Sequence, residues 1–256
     1  MSNYNSTEDR VKELYHLLEN KETNELSELL RRSNAADIVE FLEELTPEEA
    51  LVVFRLLKKE DAVEVFAKLD SDQKENFQKG LNENEFKELL HELNFDDKVD
   101  TLEEMPAAMV QRILRSSDSD TRKLVNEYLK FPEYSAGTLM TPEFVEIKPY
   151  MTVKEALAHI KKVGNDSETV YTCYVTSPTK ELLGYVSLRL IVTSRPDTRI
   201  EELMYEDVIT VYTTDDQEDV AHKFQKYGFT ALPVVDMTNR LVGIITVDDI
   251  MWIIEQ

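Results

Sequence analysis

The sequence predicts two architectures in series: an N-terminal all-α superhelix of short helices, followed by a tandem pair of β-α-β-β-α repeats. Three observations carry that expectation. Leu45, Leu57, Leu69, Leu81, Leu93 and Met105 recur at a spacing of 12 residues. After Leu129 the texture changes, with Pro132, Gly137, Pro142 and Pro149 breaking helices and β-branched residues becoming common. Beyond that point the chain aligns on itself.

Each 12-residue interval of the first part is long enough for a short helix and a tight turn. Helix-starting residues stand at the interval boundaries: Thr46-Pro47-Glu48-Glu49, Asp70-Ser71-Asp72, Asn82 to Asn84, Asn94 and Pro106. Cap oxygens satisfy orphan amide donors, proline suits the first turn, and early carboxylates match the helix dipole. Within intervals the apolar residues fall at helical spacing, as in Val52, Val53, Leu56 and Leu57, or Val63, Phe66, Ala67 and Leu69. A two-turn helix cannot bury its face alone, but stacked neighbours can, so a compact helical solenoid is expected from about Thr7 to Leu129.

In the second part Leu139-Met140-Thr141 aligns on Leu203-Met204-Tyr205, an offset of 64, and Val145, Ile147 and Ala156 fall on Ile209, Val211 and Val220. Further on, Val175, Gly184 and Ser187 fall on Val234, Gly243 and Thr246, an offset of 59. The first copy therefore carries about five extra residues, placed around Gly164 to Glu168. Each copy reads as a short strand, a helix, an apolar strand, a turn, a strand and a closing helix.

Composition bounds the function classes. The 256 residues carry 29 Lys and Arg against 51 Asp and Glu, a net charge of −22, and 42% hydrophobic residues. Two or three cored domains fit that length. Such a surface repels nucleic acid and anionic lipid and attracts cations. The longest apolar runs, such as Ala50 to Phe54 and Met251 to Ile254, fall far short of the roughly 18 residues a membrane crossing needs, and no charged-then-apolar leader opens the chain. The lone Cys173 excludes an internal disulfide and a thiolate cluster, which suits a reducing, cytosolic setting. The four histidines are scattered over helical segments, no phosphate-binding loop or H-E-x-x-H occurs, and no enzyme activity is expected.

The β-α-β-β-α pattern resembles a CBS domain, in Leu232-Pro233-Val234-Val235-Asp236 followed by Leu241-Val242-Gly243-Ile244-Ile245-Thr246-Val247-Asp248-Asp249-Ile250. The segment Tyr134-Ser135-Ala136-Gly137-Thr138-Leu139-Met140-Thr141-Pro142-Glu143-Phe144-Val145 resembles the entry to the CBS pair in MgtE-type magnesium transporters. On that resemblance residues 1–132 are an MgtE-type N domain, 133–138 a linker, 139–200 the first CBS domain and 201–256 the second. The resemblance implies a soluble cytosolic sensor of intracellular Mg²⁺ at the cytoplasmic face of a membrane. It further implies a homodimer formed through the CBS domains and a C-terminal transmembrane pore domain lying beyond Gln256. Mg²⁺ held between acidic faces of the N and CBS domains would favour a compact state that closes the pore; apposed carboxylates repel, and a hard divalent cation turns repulsion into a bridge.

The metal-facing positions implied by the resemblance are Glu64, Asp96, Asp100, Asp216, Glu218 and Asp249. Asp96 and Asp100 stand four apart on one helical face, where a solvated face and a dipole-matching acid are the plainer alternative. Glu64 has an ordinary i,i+4 pair with Lys68 as its alternative. The duplication bears on Asp216 and Glu218, whose counterparts in the first copy are Thr152 and Lys154. Capping by Thr214 and Asp215 accounts for one acid there, and the run Asp215-Asp216-Gln217-Glu218-Asp219 exceeds what a helix start requires. Asp249, paired with Asp96, is the leading candidate, with a helix cap as its alternative. The Thr-x-x-Asp element of nucleotide-binding CBS domains also implies a site for ATP or another adenine nucleotide at Arg189, Thr246 and Asp249. Leu190 stands where the first copy's ribose-binding aspartate belongs, which puts that copy's site in doubt. Gly228 and Trp252 stand where some family members carry acids, so fewer ions are expected. A nucleotide sensor acting on a separate partner remains the alternative function.

Overall fold

The structure, a computed structural model, describes residues 7–103, 105 and 107–254. Packing divides it into two units, the chain up to Leu93 with Asp100–Ser117, and Asn94–Val99 with the chain from Asp118 onward.

The first unit is helical. Its elements are α1 (Thr7–Glu19), α2 (Thr23–Leu30), α3 (Ala35–Glu43), α4 (Pro47–Phe54), α5 (Lys59–Ala67), α6 (Ser71–Gly80), α7 (Glu83–Glu92), the last residues of α8 (Phe95–Glu103), and α9 (Ala107–Ser116). The 12-residue period is the period of these helices, and Leu69, Leu81, Leu93 and Met105 are buried at their ends. Capping boxes start three of them, at Thr46 with Glu49, Asp70 with Gln73, and Asn82 with Glu85. The interval between has no such device: Lys58 precedes α5 without a side-chain cap. Packing runs chiefly between helices two places apart, α1 on α3, α3 on α5, α4 on α6 and α5 on α7, with α1 also packed on α2. Edge-on aromatic pairs, Phe54 on Phe77 and Phe66 on Phe86, tie those layers together. Spacing misassigned one residue, since Val53 is fully buried whereas Val52 is 51% exposed. The buried face of α4 carries Ala50, Val53 and Phe54, and Val52 falls on the side away from it.

The second unit holds the start of α8, then α10 (Ser119–Tyr128), α11 (Ala136–Leu139) and two three-stranded sheets. The first repeat runs β1 (Phe144–Ile147), α12 (Val153–Val163), β2 (Thr169–Thr176), β3 (Leu182–Ser187) and α13 (Leu188–Thr193). The second runs β4 (Val211–Tyr212), α14 (Gln217–Tyr227), β5 (Ala231–Val235), β6 (Leu241–Thr246) and α15 (Val247–Ile254). In both, the first strand is parallel to the second and the second antiparallel to the third. The helices α12 and α14 have 11 residues each and start 64 apart, while β3 and β6 have six each and start 59 apart. The difference is absorbed by a 3₁₀ turn at Gly164–Asp166 and the residues after it.

The repeats exchange their entry segments. Thr141, entering the first, bridges Ile244 on β6, and Tyr205, entering the second, bridges Tyr185 on β3. That crossing requires the aligned glycines: a Cβ on Gly184 would stand 2.6 Å from Tyr205 O, and one on Gly243 would stand 3.0 Å from Thr141 O. The Tyr134–Gly137 segment is fixed in the same way, its backbone bonding to Thr213, Asp215 and Gln217 at the start of α14.

Candidate functional site

Two places in the second unit concentrate chemistry. The first is an acidic cluster assembled from three chain segments. Asp96 comes from the first turn of α8, Glu168 from the insertion before β2, and Asp249 from the first turn of α15. Asn94, expected as a helix start, turns its amide Nδ2 to Glu168 Oε2 at 2.8 Å. Beside them Glu143 accepts from the Phe95 backbone N–H at the head of α8.

The electrostatics of this cluster are one-sided. Burial, then the charges of Asp249, Asp97 and Glu168, push the Asp96 carboxyl up to about 8. Its Oδ1 is sealed from solvent with no hydrogen-bond partner in the protein. Burial and the charges of Asp249, Asp248, Glu143 and Asp97 push Glu168 up to about 7. Asp249 is raised by burial to about 6 although Thr246 donates to it, from Oγ1 to Oδ2 at 2.6 Å and from the backbone at 3.4 Å. Desolvation and like charge both disfavour ionisation, and here they act together. The arrangement stores repulsion that a proton or a cation relieves.

The other sequence candidates have other surroundings. Asp216 is the N-cap of α14, accepting from the Glu218 backbone N–H at 2.8 Å, so the cap is Asp216 itself rather than Thr214 or Asp215. Asp215 pairs instead with Lys223 at 3.5 Å. Glu218 is exposed on the same turn. Asp100 and Glu64 are exposed and belong to the first unit, the former on α8 and the latter on α5. Trp252 lies in α15, and Gly228 ends α14 in the left-handed conformation, φ 65°. Among the described residues no group of three or more His, Cys, Asp or Glu converges as a ready-made ligand set.

Glu168 is the residue that sequence reasoning missed. Its signal was present, because the five unmatched residues of the first copy end on it, but an insertion has no counterpart to align against.

The second place is a cleft of about 340 Å³ between the repeats, lined by Thr172, Tyr174 and Tyr185 from the first, by Asp207–Ile209 entering the second, and by Tyr227–Pro233 around the head of β5. Tyr174 is buried at its base, and its hydroxyl meets no partner in the protein. Arg189, Thr246 and Asp249 are not among the lining residues. Arg189 is exposed on α13, while Thr246 is turned to Asp248 and Asp249.

Comparison with known proteins divides the chain near residue 135, later than the packing units do. The family model of the MgtE intracellular N domain matches residues 33–134, and that of the CBS domain matches 136–196 and 200–256. Magnesium transporter MgtE of Thermus thermophilus is 41% identical over 165 residues, 63% of this chain, and that of Bacillus subtilis is 33% identical over 165 residues, 64% of this chain. The chain spans 37% of the length of each. A crystal structure of the cytosolic domain of the Mg²⁺ channel MgtE in complex with ATP superposes with a TM-score of 0.90 at 37% identity, covering 95% of this chain and 99% of the other. The soluble part of a magnesium transporter superposes at 0.87 and 29% identity, with 98% of each chain covered. No helix among the described residues is long and apolar enough to cross a membrane. With its helical unit, its exchanged CBS repeats and near-complete overlap with an MgtE cytosolic domain, the chain belongs to the MgtE family.

Proposed function

We propose that this chain is the cytosolic Mg²⁺-sensing region of a magnesium transporter, with Asp96, Glu168 and Asp249 as its cation-responsive centre. The observation that carries the reading is the Asp96 carboxylate, largely buried among acids with one oxygen unpartnered. A buried charge in that position calls for a counter-ion or a proton. Bound there, Mg²⁺ supplies a compact divalent charge and its own water shell, and such ions commonly use only one or two protein carboxylates.

The three acids lie on α8, on the insertion and on α15, so their repulsion acts to separate these segments and its relief holds them together. In the full-length transporter the held state is the one that closes the pore, and the CBS repeats are the homodimer contact. The exposed acids Glu64, Asp100, Asp216 and Glu218 add to the negative field that draws cations in. The test is Mg²⁺ titration of the chain and of the Asp96→Asn, Asp249→Asn double variant, followed by limited proteolysis and small-angle scattering. The wild type becomes protected and more compact at millimolar Mg²⁺, and the variant does not respond. An equal response in both removes the assignment.

A second reading, adenine-nucleotide binding, is favoured by the cleft with the unpartnered Tyr174 hydroxyl and by the ATP complex of the similar MgtE cytosolic domain. It is compatible with the first, since the cleft lining and the acid cluster share no residue.

A further inference from the structure

We infer that Glu143 is a positioning residue of the cation-responsive centre, the junction that sets Asp96 and Glu168 against Asp249. The inference rests on the Mg²⁺-sensing reading above and deepens it. Glu143 meets two of the three acid-bearing segments at once. Its backbone carbonyl accepts from the Glu168 backbone N–H at 2.7 Å, and its side chain accepts from the Phe95 backbone N–H, one residue before Asp96. The third segment reaches it through the strand exchange. Thr141, two residues earlier, bonds both ways with Ile244 on β6, at 2.8 and 2.9 Å, and β6 ends at Thr246, whose hydroxyl donates to Asp249. The path from Asp249 to Asp96 therefore runs through hydrogen bonds and short stretches of chain, with Glu143 as its branch point.

The first amides of a helix have no partner within it, and a carboxylate that accepts from one also matches the helix dipole. Glu143 is thus a cap for α8 supplied by a distant segment, the entry to the first repeat. Tyr128 on α10 also holds that helix head: its ring meets Phe95 edge-on at 4.6 Å, and its hydroxyl donates to Val242 O on β6 at 3.4 Å. Both contacts return to the strand that carries Thr246. The duplication isolates the role of the acid. Asp207 aligns on Glu143 at the offset of 64 and is exposed, whereas Glu143 is half-buried. The frame of a repeat does not require an acid turned inward at this position, and the head of α8 supplies a reason for one. The plainer alternative is a charge role, since the Lys98 ammonium stands near enough to act on Glu143.

Mg²⁺ titration of the whole chain, read by small-angle scattering and by exchange of single amide protons, separates the two in Glu143→Gln and Glu143→Ala. Glutamine keeps an acceptor and drops the charge, whereas alanine drops both. Glu143→Ala is expected to raise the Mg²⁺ midpoint about ten-fold, the effect of losing one hydrogen bond to a charged acceptor. In that variant the Phe95 amide should exchange faster while the Ile244 amide exchanges as in wild type, which a general loss of stability would not produce. Glu143→Gln should stay within about three-fold of the wild-type midpoint, the effect of one screened charge, with Phe95 still protected. A midpoint as high in Glu143→Gln as in Glu143→Ala assigns the effect to charge and overturns the inference. A wild-type midpoint in Glu143→Ala overturns it too. Should Glu143→Ala not fold, the Phe95 amide in Glu143→Gln decides, its protection upholding the inference and its loss overturning it. Failure of either kind leaves the Mg²⁺-sensing reading standing, whereas a wild-type chain unmoved by Mg²⁺ overturns both.

Discussion

Replacing Asp96 by Asn removes one buried charge at nearly constant shape, and the structure fixes the sign of the result. The Asp96 carboxyl is pushed up to about 8 in the folded chain, from 3.8 for a free side chain. Between those values the folded state binds more protons than the unfolded one, so in the absence of divalent cation the wild type loses stability as pH rises from about 4 to 8. About four pH units at about 1.4 kcal/mol each bound the loss at about 5–6 kcal/mol. Glu168, at about 7, and Asp249, at about 6, release protons over the same range, so the cluster titrates as one system. A gain of about 2–3 kcal/mol for Asp96→Asn at pH 8 is then the expectation, falling below about 1 kcal/mol at pH 5, where the wild-type carboxyl is protonated. The new amide has donors to offer Glu168 and Asp249, which the carboxylate lacks. Urea unfolding in EDTA at the two pH values measures this. Adding Mg²⁺ at pH 8 should stabilise the wild type and leave the variant unmoved, because binding only the folded state adds RT ln(1 + [L]/Kd). A variant no more stable than wild type at pH 8 in EDTA, or equally shifted at both pH values, refutes the account of Asp96 as a strained anion.

Further outcomes follow from the same geometry. Gly184→Ala drives a Cβ to within 2.6 Å of Tyr205 O, so it should cost about 2 kcal/mol or more in thermal unfolding of the second unit, through overpacking at the strand exchange. Thr46→Ala removes the side-chain half of the α4 capping box and should cost about 1 kcal/mol, with the amide proton of Glu49 exchanging faster. Leu190→Asp places an acid against the first repeat's core, where Leu190 now packs. It should cost about 1–3 kcal/mol at pH 8 and less at pH 5, read by urea midpoint.

The helical period and the duplication were legible because each is a repeated local pattern. Spacing alone placed the cap at Asp70 and the aligned pair Gly184 and Gly243, and the strand exchange supplies the reason for those glycines. What remained hidden depends on three-dimensional neighbours. Val52 and Val53 are equivalent in a propensity argument, and only packing buries one of them. The insertion was locatable as an alignment gap, yet nothing local indicates that Glu168 reaches Asn94, 74 residues earlier. The cleft was invisible for the same reason, since its lining comes from three separated segments and carries no motif.

Departures from internal symmetry are therefore more informative here than the symmetry itself. Two copies of one frame need the same glycines and the same apolar strands, so matched positions report on folding. Unmatched positions divide by what their neighbours do. Thr152 and Asp216 differ chemically but both cap the first turn of their helix, so that difference is neutral for the fold. Leu190 and Asp249 differ in consequence: one packs on a core, while the other is held by Thr246 beside further acids. The insertion adds Glu168 to the same side of that asymmetry. A chain selected only to fold has no reason to gather Asp96, Glu168 and Asp249 where each resists ionisation. On the proposed reading, relief by a cation gives that cost a function and accounts for the acid on α15 having no acidic counterpart on α13.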